Sequence, residues 1–351
     1  MPENVHYIVW AAQPGGAELS VNHYINGYGD RRELFAYSLR NLDNTLYDDT
    51  KIHFQKGGAG QWQCYLQYFR YCRQYRDEIF HLLSVGPIIL LLTLLAGIRN
   101  PVYHIHGTIY WKKWYKKWYL KAAWTLSSLS KVTFIANSRH SASIFHRDVL
   151  PVNPQVIYNG LEIGPFEKNR SQRTALRRMG YAGRLQPGKN VHLVIRLFEE
   201  IAGYYPDLEL HIAGDGALRP SLEAQAQAGP YADRIHFLGW VQDVASFYGS
   251  IDLFVFLSAY ESFGNVLAEA LLTGLPVLTS DIPAFEEIHQ GEKAFLLGDP
   301  DDYPTLKERF LDAVAQYPAL AKKAYHLSES IQDVFDVQNH LEAIETLYEK
   351  R

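Results

Sequence analysis

The chain has 351 residues, 47% of them hydrophobic and 21% charged, with a formal net charge of −4. That length holds two domains of ordinary size, and the composition is that of a globular protein rather than a disordered one. The net acidity argues against a dedicated nucleic-acid binder, which would carry a basic footprint. The two cysteines, Cys64 and Cys72, fall on one expected helix. A pair so spaced suits neither a disulfide framework nor a metal site, so a reducing cytoplasm is the expected compartment.

Taken in chain order, Pro2–Trp10 lacks the basic flank and cleavage site of a signal peptide and reads as a first strand, Val5–Trp10. A helix follows Pro14-Gly15-Gly16, then strands at Glu33–Leu39 and Lys51–Phe54. The apolar run Leu82–Ile98 is shorter than the roughly twenty residues of a spanning helix, and Gly86-Pro87 breaks it near its start. It reads as strand Ile79–Val85, a turn, and a buried helix Pro87–Ala96 with proline in its first turn. Strands Val102–His106, Val132–Ala136 and Gln155–Tyr158 continue the series. Alternation of this kind predicts a mostly parallel sheet wrapped by helices. Polar, aperiodic Gly164–Gln172 reads as a linker between domains. A second series follows: Arg178–Gly183, helix Val191–Tyr204, Leu208–Ala213, helix Leu218–Ala228, Ile235–Leu238, helix Val244–Ser250 and Leu253–Leu257. The expected domains are residues 1–164 and 173–330, with 331–351 as a C-terminal helical segment. No internal repeat or low-complexity tract is present.

The most informative stretch is Tyr260-Glu261-Ser262-Phe263-Gly264-Asn265-Val266-Leu267-Ala268-Glu269. A buried strand precedes it, and a helix end, a glycine cap and another buried strand follow, so its loop sits at the carboxyl end of a strand, where open α/β sheets bind ligands. The helix beginning near Gly264 directs backbone N–H groups and positive dipole at that loop, a position suited to a diphosphate. Gly264 lets the backbone approach closely. Glu261 lies before the helix and Glu269 within it, separated by several ångströms along the axis at about 1.5 Å per residue. That separation suits hydroxyls at two ends of one long ligand better than one shared proton. Without further context, Glu269 reads as a solvated helix residue and Glu261 as a loop charge.

The run resembles the Glu-x7-Glu signature of family-4 glycosyltransferases, retaining enzymes of the GT-B fold. Other segments are similar to that family in order and spacing: Pro14-Gly15-Gly16-Ala17-Glu18, His104-Ile105-His106-Gly107, Ala136-Asn137-Ser138, Ile157-Tyr158-Asn159-Gly160-Leu161-Glu162, Tyr181-Ala182-Gly183-Arg184-Leu185 with Lys189, Ile212-Ala213-Gly214-Asp215-Gly216, and Phe237-Leu238-Gly239-Trp240. The resemblance implies an α/β GT-B architecture: two Rossmann-like domains with parallel sheets facing a central cleft, and a final helix, about Val337–Lys350, crossing back to the first domain.

It also implies roles. Glu261 binds donor-sugar hydroxyls and Glu269 the nucleotide ribose. Phe263, Gly264 and Asn265 present backbone groups to sugar and phosphates, while Val266 and Leu267 wall the cleft. Arg184 and Lys189 neutralise the diphosphate as the glycosidic bond breaks; without the resemblance they read as surface charges. Where the family usually has Lys-Gly, this chain has Lys189-Asn190. His106 contacts a sugar hydroxyl or the reacting centre, although many relatives carry aspartate after this histidine and Gly107-Thr108 stands here. Its other reading is a strand-end histidine, as for His104. Gly15 and Gly16 meet the donor phosphate or the acceptor. Glu18 either shares that task or only complements the helix dipole, and Asn159-Gly160 is as readily a structural turn. No Gly-x-Gly-x-x-Gly fingerprint suggests a nicotinamide, and no clustered His, Cys or Asp set suggests a metal, so no cofactor is expected.

The expected function is retaining transfer of a hexose-type sugar from a nucleotide diphosphate, UDP favoured over GDP, to a glycan or lipid-linked glycan. The alternatives are a sugar-nucleotide epimerase of the same fold, which would need acid/base carboxylates beside C2, and a non-catalytic carbohydrate- or membrane-binding module. Tyr110–Lys121 places Trp111, Trp114, Tyr115 and Trp118 on one helical face beside lysines, and Trp62–Arg76 interleaves Trp62, Tyr65, Phe69 and Cys72 with Arg70, Arg73 and Arg76. Both suit peripheral attachment to an anionic cytoplasmic membrane face; both equally suit aromatics packed on a sheet with solvated cations outside.

Overall fold

The computed structural model describes residues 4–12, 16–28, 32–40, 42–107, 122, 124–127 and 130–350. The chain divides into two compact units, residues 1–160 with 337–351, and residues 161–336. Among the described residues the first unit holds a seven-stranded sheet: β1 Val5–Val9, β2 Leu34–Ser38, β3 His53–Lys56, β4 Ile79–Leu83, β5 Val102–Ile105, β6 Thr133–Ala136 and β7 Gln155–Val156. Their order is β3-β2-β1-β4-β5-β6-β7 and every pairing is parallel. Strands β1, β4 and β5 are buried along their whole length, the pattern of a parallel sheet covered on both faces.

The second unit holds a six-stranded sheet: β8 Arg178–Ala182, β9 Glu209–Ala213, β10 Ile235–Gly239, β11 Leu253–Phe256, β12 Val277–Ser280 and β13 Leu296–Gly298. Its order is β10-β9-β8-β11-β12-β13, again all parallel. The strand order reverses between β1 and β4 in the first sheet and between β8 and β11 in the second. The loops that leave the carboxyl ends of strands at such a reversal are where open α/β sheets bind ligands.

The partition falls at Gly160 and again at Asp336. Within the segment expected to be a linker, Ile163–Lys168 forms a short helix of the second unit. Its single apolar anchor, Phe166, is buried with its ring 6.5 Å from that of Tyr248. One apolar residue in a polar run produces no periodicity, so the helix leaves no signal in the pattern. Arg173 lies just beyond and is also buried, its guanidinium satisfied by the carbonyls of Ile251, Tyr248 and Ser171 at 3.0, 2.9 and 2.8 Å.

The C-terminal helix Val337–Glu349 belongs to the first unit. Val337, Leu341, Ile344, Leu347 and Tyr348 recur at helical spacing and join a core that includes Val5, Tyr7, Tyr24 and Ile25. Its polar side chains lock into the same interior. His340 donates from Nδ1 to the Tyr158 carbonyl at 2.6 Å and receives the Tyr24 hydroxyl at Nε2, 3.1 Å away. The Tyr348 hydroxyl pairs with His81 Nδ1 at 2.6 Å, and His81 Nε2 lies 3.3 Å from His104 Nδ1.

Burial pushes the His340 imidazole down to about 4, against the Tyr158 bond, which raises it. Burial also lowers His106 to about 3, with His340 adding to the fall. A histidine kept neutral in the fold takes up its proton only on unfolding, so its contribution is complete above pH 6.5 and lost as pH falls towards the folded value. The slope is about 1.4 kcal/mol per pH unit for each such group. Calorimetric melting between pH 7 and 4.5 should therefore show falling stability. The His340→Gln variant should show a shallower pH dependence; equal slopes would contradict this account of His340.

Candidate functional site

The reversal point of the second sheet brings together the two loops that carry the expected site residues. Strand β8 ends at Ala182 and continues as Gly183–Asn190; neighbouring β11 ends at Phe256 and continues as Leu257–Gly264. Hydrogen bonds stitch the loops together. The Ala259 main-chain N–H donates to the Gly188 carbonyl at 2.8 Å, and the Asn190 side-chain amide donates to the Leu257 carbonyl at 2.9 Å. Asn190 sits in the left-handed region at φ 53°, which asparagine tolerates better than most residues because its short polar side chain bonds locally. That accounts for asparagine at a position where the resembled family usually has glycine.

Across these loops Lys189 Nζ donates to Glu261 Oε1. Their side chains are only 15% and 18% exposed, and the Lys189 ammonium lies 5.4 Å from the centre of the Phe256 ring. Two charges expected to serve one ligand thus neutralise each other over a chain separation of 72 residues. Arg184, on the same loop as Lys189, is exposed.

A third loop, Gly214–Leu218 after β9, braces the first. Leu185 donates to the Asp215 carbonyl and Leu218 to the Leu185 carbonyl, each at 2.9 Å. Gly214 has φ 133°, and a β-carbon there would overlap the Gly183 carbonyl oxygen.

The helix Asn265–Leu272 begins at Gly264, whose φ of 105° is a conformation that glycine alone adopts without strain. A β-carbon at Gly264 would stand 3.0 Å from the Phe285 ring. Phe263 is buried edge-on against Phe335, ring centres 5.3 Å apart, which anchors the loop ahead of the helix. Val266 is half-buried. Leu267 was expected to wall a cleft; it is wholly buried, and its N–H already donates to the Gly264 carbonyl at 2.9 Å. At the third position of a helix whose inner face meets the sheet, this side chain belongs to the core. Glu269 receives the Tyr248 hydroxyl at 3.3 Å, and burial pushes its carboxyl up to about 7, the Tyr248 bond acting in the opposite sense.

In the first unit, His106 follows β5 directly, its N–H donating to Ser84 Oγ at 2.7 Å. Its ring lies 3.9 Å from that of His104, and neither ring nitrogen of His106 has a hydrogen-bond partner among the described residues. Gly16 opens the helix Gly16–Tyr28. Gly15 and the aromatic–lysine run with Trp111, Trp114 and Trp118 lie outside the described residues. On the helix Gln61–Gln74, Cys64, Tyr68, Tyr71 and Cys72 form the buried face. Cys72 therefore points away from the aromatic–basic side on which it was expected, and both cysteines are free. Trp62 and Leu66 remain 80% and 59% exposed. No helix among the described residues is long and apolar enough to cross a membrane.

One group of metal-ligand type does form among the described residues, from Glu209, His211 and His236. Linear spacing could not reveal it, because the register of β10 on β9 sets His236 opposite His211.

Two parallel-sheet α/β domains, each with its loops at a strand-order reversal, define the GT-B glycosyltransferase fold. Residues 177–316, which lie within the second unit, match the family model described as Glycosyl transferases group 1. The chain is 26% identical to the lipopolysaccharide core biosynthesis mannosyltransferase LpsB of Rhizobium meliloti, over 57% of this chain and 62% of that relative. It is 21% identical to the O-antigen biosynthesis glycosyltransferase WclY of Escherichia coli, over 98% of this chain and 96% of the relative. A crystal structure of Anabaena Alr3699/HepE in complex with UDP superposes with a TM-score of 0.79 at 20% identity, covering 99% of this chain and 100% of that one. The same protein with UDP-glucose also gives 0.79, at 21% identity over the same shares.

Proposed function

We propose that this chain is a retaining glycosyltransferase. It moves a hexose-type sugar from a nucleotide diphosphate, UDP favoured over GDP, to a glycan or lipid-linked glycan in surface polysaccharide or glycoconjugate synthesis. The observation that carries this reading is the Lys189–Glu261 pair at the reversal point of the second sheet, on the loops leading to the Asn265–Leu272 helix. The named activities of LpsB and WclY, and the UDP and UDP-glucose held by HepE, support it.

In this mechanism the diphosphate lies against the helix N-terminus, where Phe263, Gly264, Asn265 and Val266 supply main-chain groups and positive dipole. Arg184 and Lys189 stabilise the charge that grows on the leaving diphosphate without requiring a metal. Glu261 accepts hydrogen bonds from sugar hydroxyls and Glu269 from the ribose. His106, neutral at pH 7, contacts a sugar hydroxyl, and Gly15 and Gly16 approach the phosphate or the acceptor. The acceptor oxygen bonds to the anomeric carbon on the face the diphosphate leaves, the glycosidic C–O bond breaks, and the acceptor's proton passes to the leaving phosphate. Neither carboxylate serves as a nucleophile.

UDP should raise the melting temperature, and magnesium should not alter the shift; at a hundred times Kd the linkage is worth about 2.7 kcal/mol. Glu261→Ala should stay folded, with a lowered melting temperature because Lys189 loses its partner, and should reduce kcat/KM for transfer by roughly a hundredfold or more. Full transfer activity in that variant would remove Glu261 from the site.

Glu269 titrates near neutrality, and its carboxylate form accepts two hydroxyl bonds, so donor affinity should increase as pH rises through about 7. Titration calorimetry with the donor nucleotide should show this trend in the parent and a flat profile in Glu269→Gln. A flat profile in both would take Glu269 out of ribose recognition.

We further propose that the exposed Trp62 and Leu66, flanked by Arg70 and Arg73, rest on an anionic lipid surface, together with Trp111, Trp114, Trp118 and the neighbouring lysines. Flotation with phosphatidylglycerol-containing vesicles should recover the protein, and Trp62→Ala should lower the bound fraction. Absence of binding by the parent chain would end this proposal.

A further inference from the structure

At the other end of the second sheet from the Lys189–Glu261 loops, three side chains of metal-ligand type converge on one face. Glu209 opens β9 and His211 follows two residues later, so both point to the same side of the sheet. The edge strand β10 sets His236 beside His211 in parallel register. Glu209 Oε2 lies 2.9 Å from His211 Nε2, and Glu209 Oε1 lies 3.9 Å from His236 Nε2. The three donor atoms all lie within 4.8 Å of one another.

Two imidazoles and a carboxylate form the donor set of Zn²⁺ and of neighbouring borderline ions such as Co²⁺ and Ni²⁺. Tetrahedral Zn²⁺, with bonds of about 2.0–2.1 Å, places adjacent donors about 3.4 Å apart. The observed separations bracket that value, so small side-chain rotations suffice to close the set around one ion. Solvent reaches it, His236 being 40% exposed and His211 20%, which provides an entry path and a water for the fourth position. Arg178 stands opposite Glu209 in register. Its guanidinium donates to the Ser250 carbonyl at 3.2 Å.

We propose that Glu209, His211 and His236 form a binding site for one divalent transition-metal ion of the Zn²⁺ type. The ion ties the edge strand β10 to β9, and the site is separate from the loops that carry the proposed transfer chemistry. Its function is structural: an ion bound only by the folded chain stabilises it by mass action.

Titration calorimetry of the EDTA-treated, dialysed chain with ZnCl₂ should give one saturable equivalent, and Zn²⁺ should raise the melting temperature. Co²⁺ in place of Zn²⁺ should give the visible absorption of a four-coordinate site. His236→Asn and His211→Gln should each weaken Zn²⁺ binding at least tenfold, while far-UV circular dichroism and the metal-free melting temperature stay those of the parent. His236 is on the solvent face of an edge strand, so its replacement tests the ligand without disturbing the core, and Glu209→Gln provides a third variant of nearly unchanged shape. No saturable Zn²⁺ binding by the parent, or binding undiminished in both histidine variants, would overturn the proposal.

Discussion

A β-carbon on Gly214 would overlap the Gly183 carbonyl oxygen, so the loops after β8 and β9 meet main chain to main chain. The Gly183 N–H donates to the Ala213 carbonyl at 3.0 Å, and Leu185 continues the seam to Asp215. On its other side the first loop is bonded to the segment after β11, through Gly188 with Ala259 and Asn190 with Leu257. The position of Lys189 is thereby set from both flanks, by main-chain bonds and by the Asn190 side-chain amide. Backbone contacts of this kind do not drift with side-chain rotamers, which is what a site must offer when it has to hold a ligand to a fraction of an ångström.

The parallel sheets explain why so much of this was legible beforehand. Buried parallel strands must be near-continuous apolar runs, and Leu253-Phe254-Val255-Phe256 or Ile79-Phe80-His81-Leu82-Leu83 stand out as such between glycine- and proline-marked turns. Strand–helix alternation then leaves few topologies, so the two α/β units follow. Glu261, Gly264 and Glu269 could be singled out because they lie within ten residues on one loop and its helix. What could not be seen is whatever depends on register or distant pairing. The Lys189–Glu261 contact joins residues 72 apart, and the Glu209–His211–His236 group exists only once β10 lies on β9. Leu267 was assigned to a wall because a helix-start residue near a ligand loop can face either way, and only packing decides.

The histidines of the first unit illustrate the same limit. His81 and His104 stand in strands that are buried along their whole length, where histidine is an uncommon occupant. The interior accommodates them in a chain of polar contacts through His81, Tyr348 and His104, with His340 tied nearby to Tyr24 and Tyr158. The C-terminal helix supplies His340 and Tyr348, which give hydrogen-bond partners to Tyr24, the Tyr158 carbonyl and His81 of the first unit. An apolar helix at that position would leave buried imidazole and hydroxyl groups without partners, at about 1–3 kcal/mol for each.

The ion pair of the second unit obeys the opposite logic. Charges that are 15% and 18% exposed are costly to hold singly, and removing the partner of such a group generally costs several kcal/mol. Lys189 and Glu261 avoid that cost in the ligand-free chain by holding each other. In the proposed reaction they avoid it again by exchange: a diphosphate replaces Glu261 as the partner of Lys189, and sugar hydroxyls replace Lys189 as donors to Glu261. Each exchange substitutes one satisfied arrangement for another, so binding energy is not consumed in stripping water from an isolated charge. A ligand bearing only phosphate, or only sugar, satisfies one member and leaves the other without its partner. The pair therefore favours a ligand carrying both groups at the right separation, a property that neither residue would confer alone.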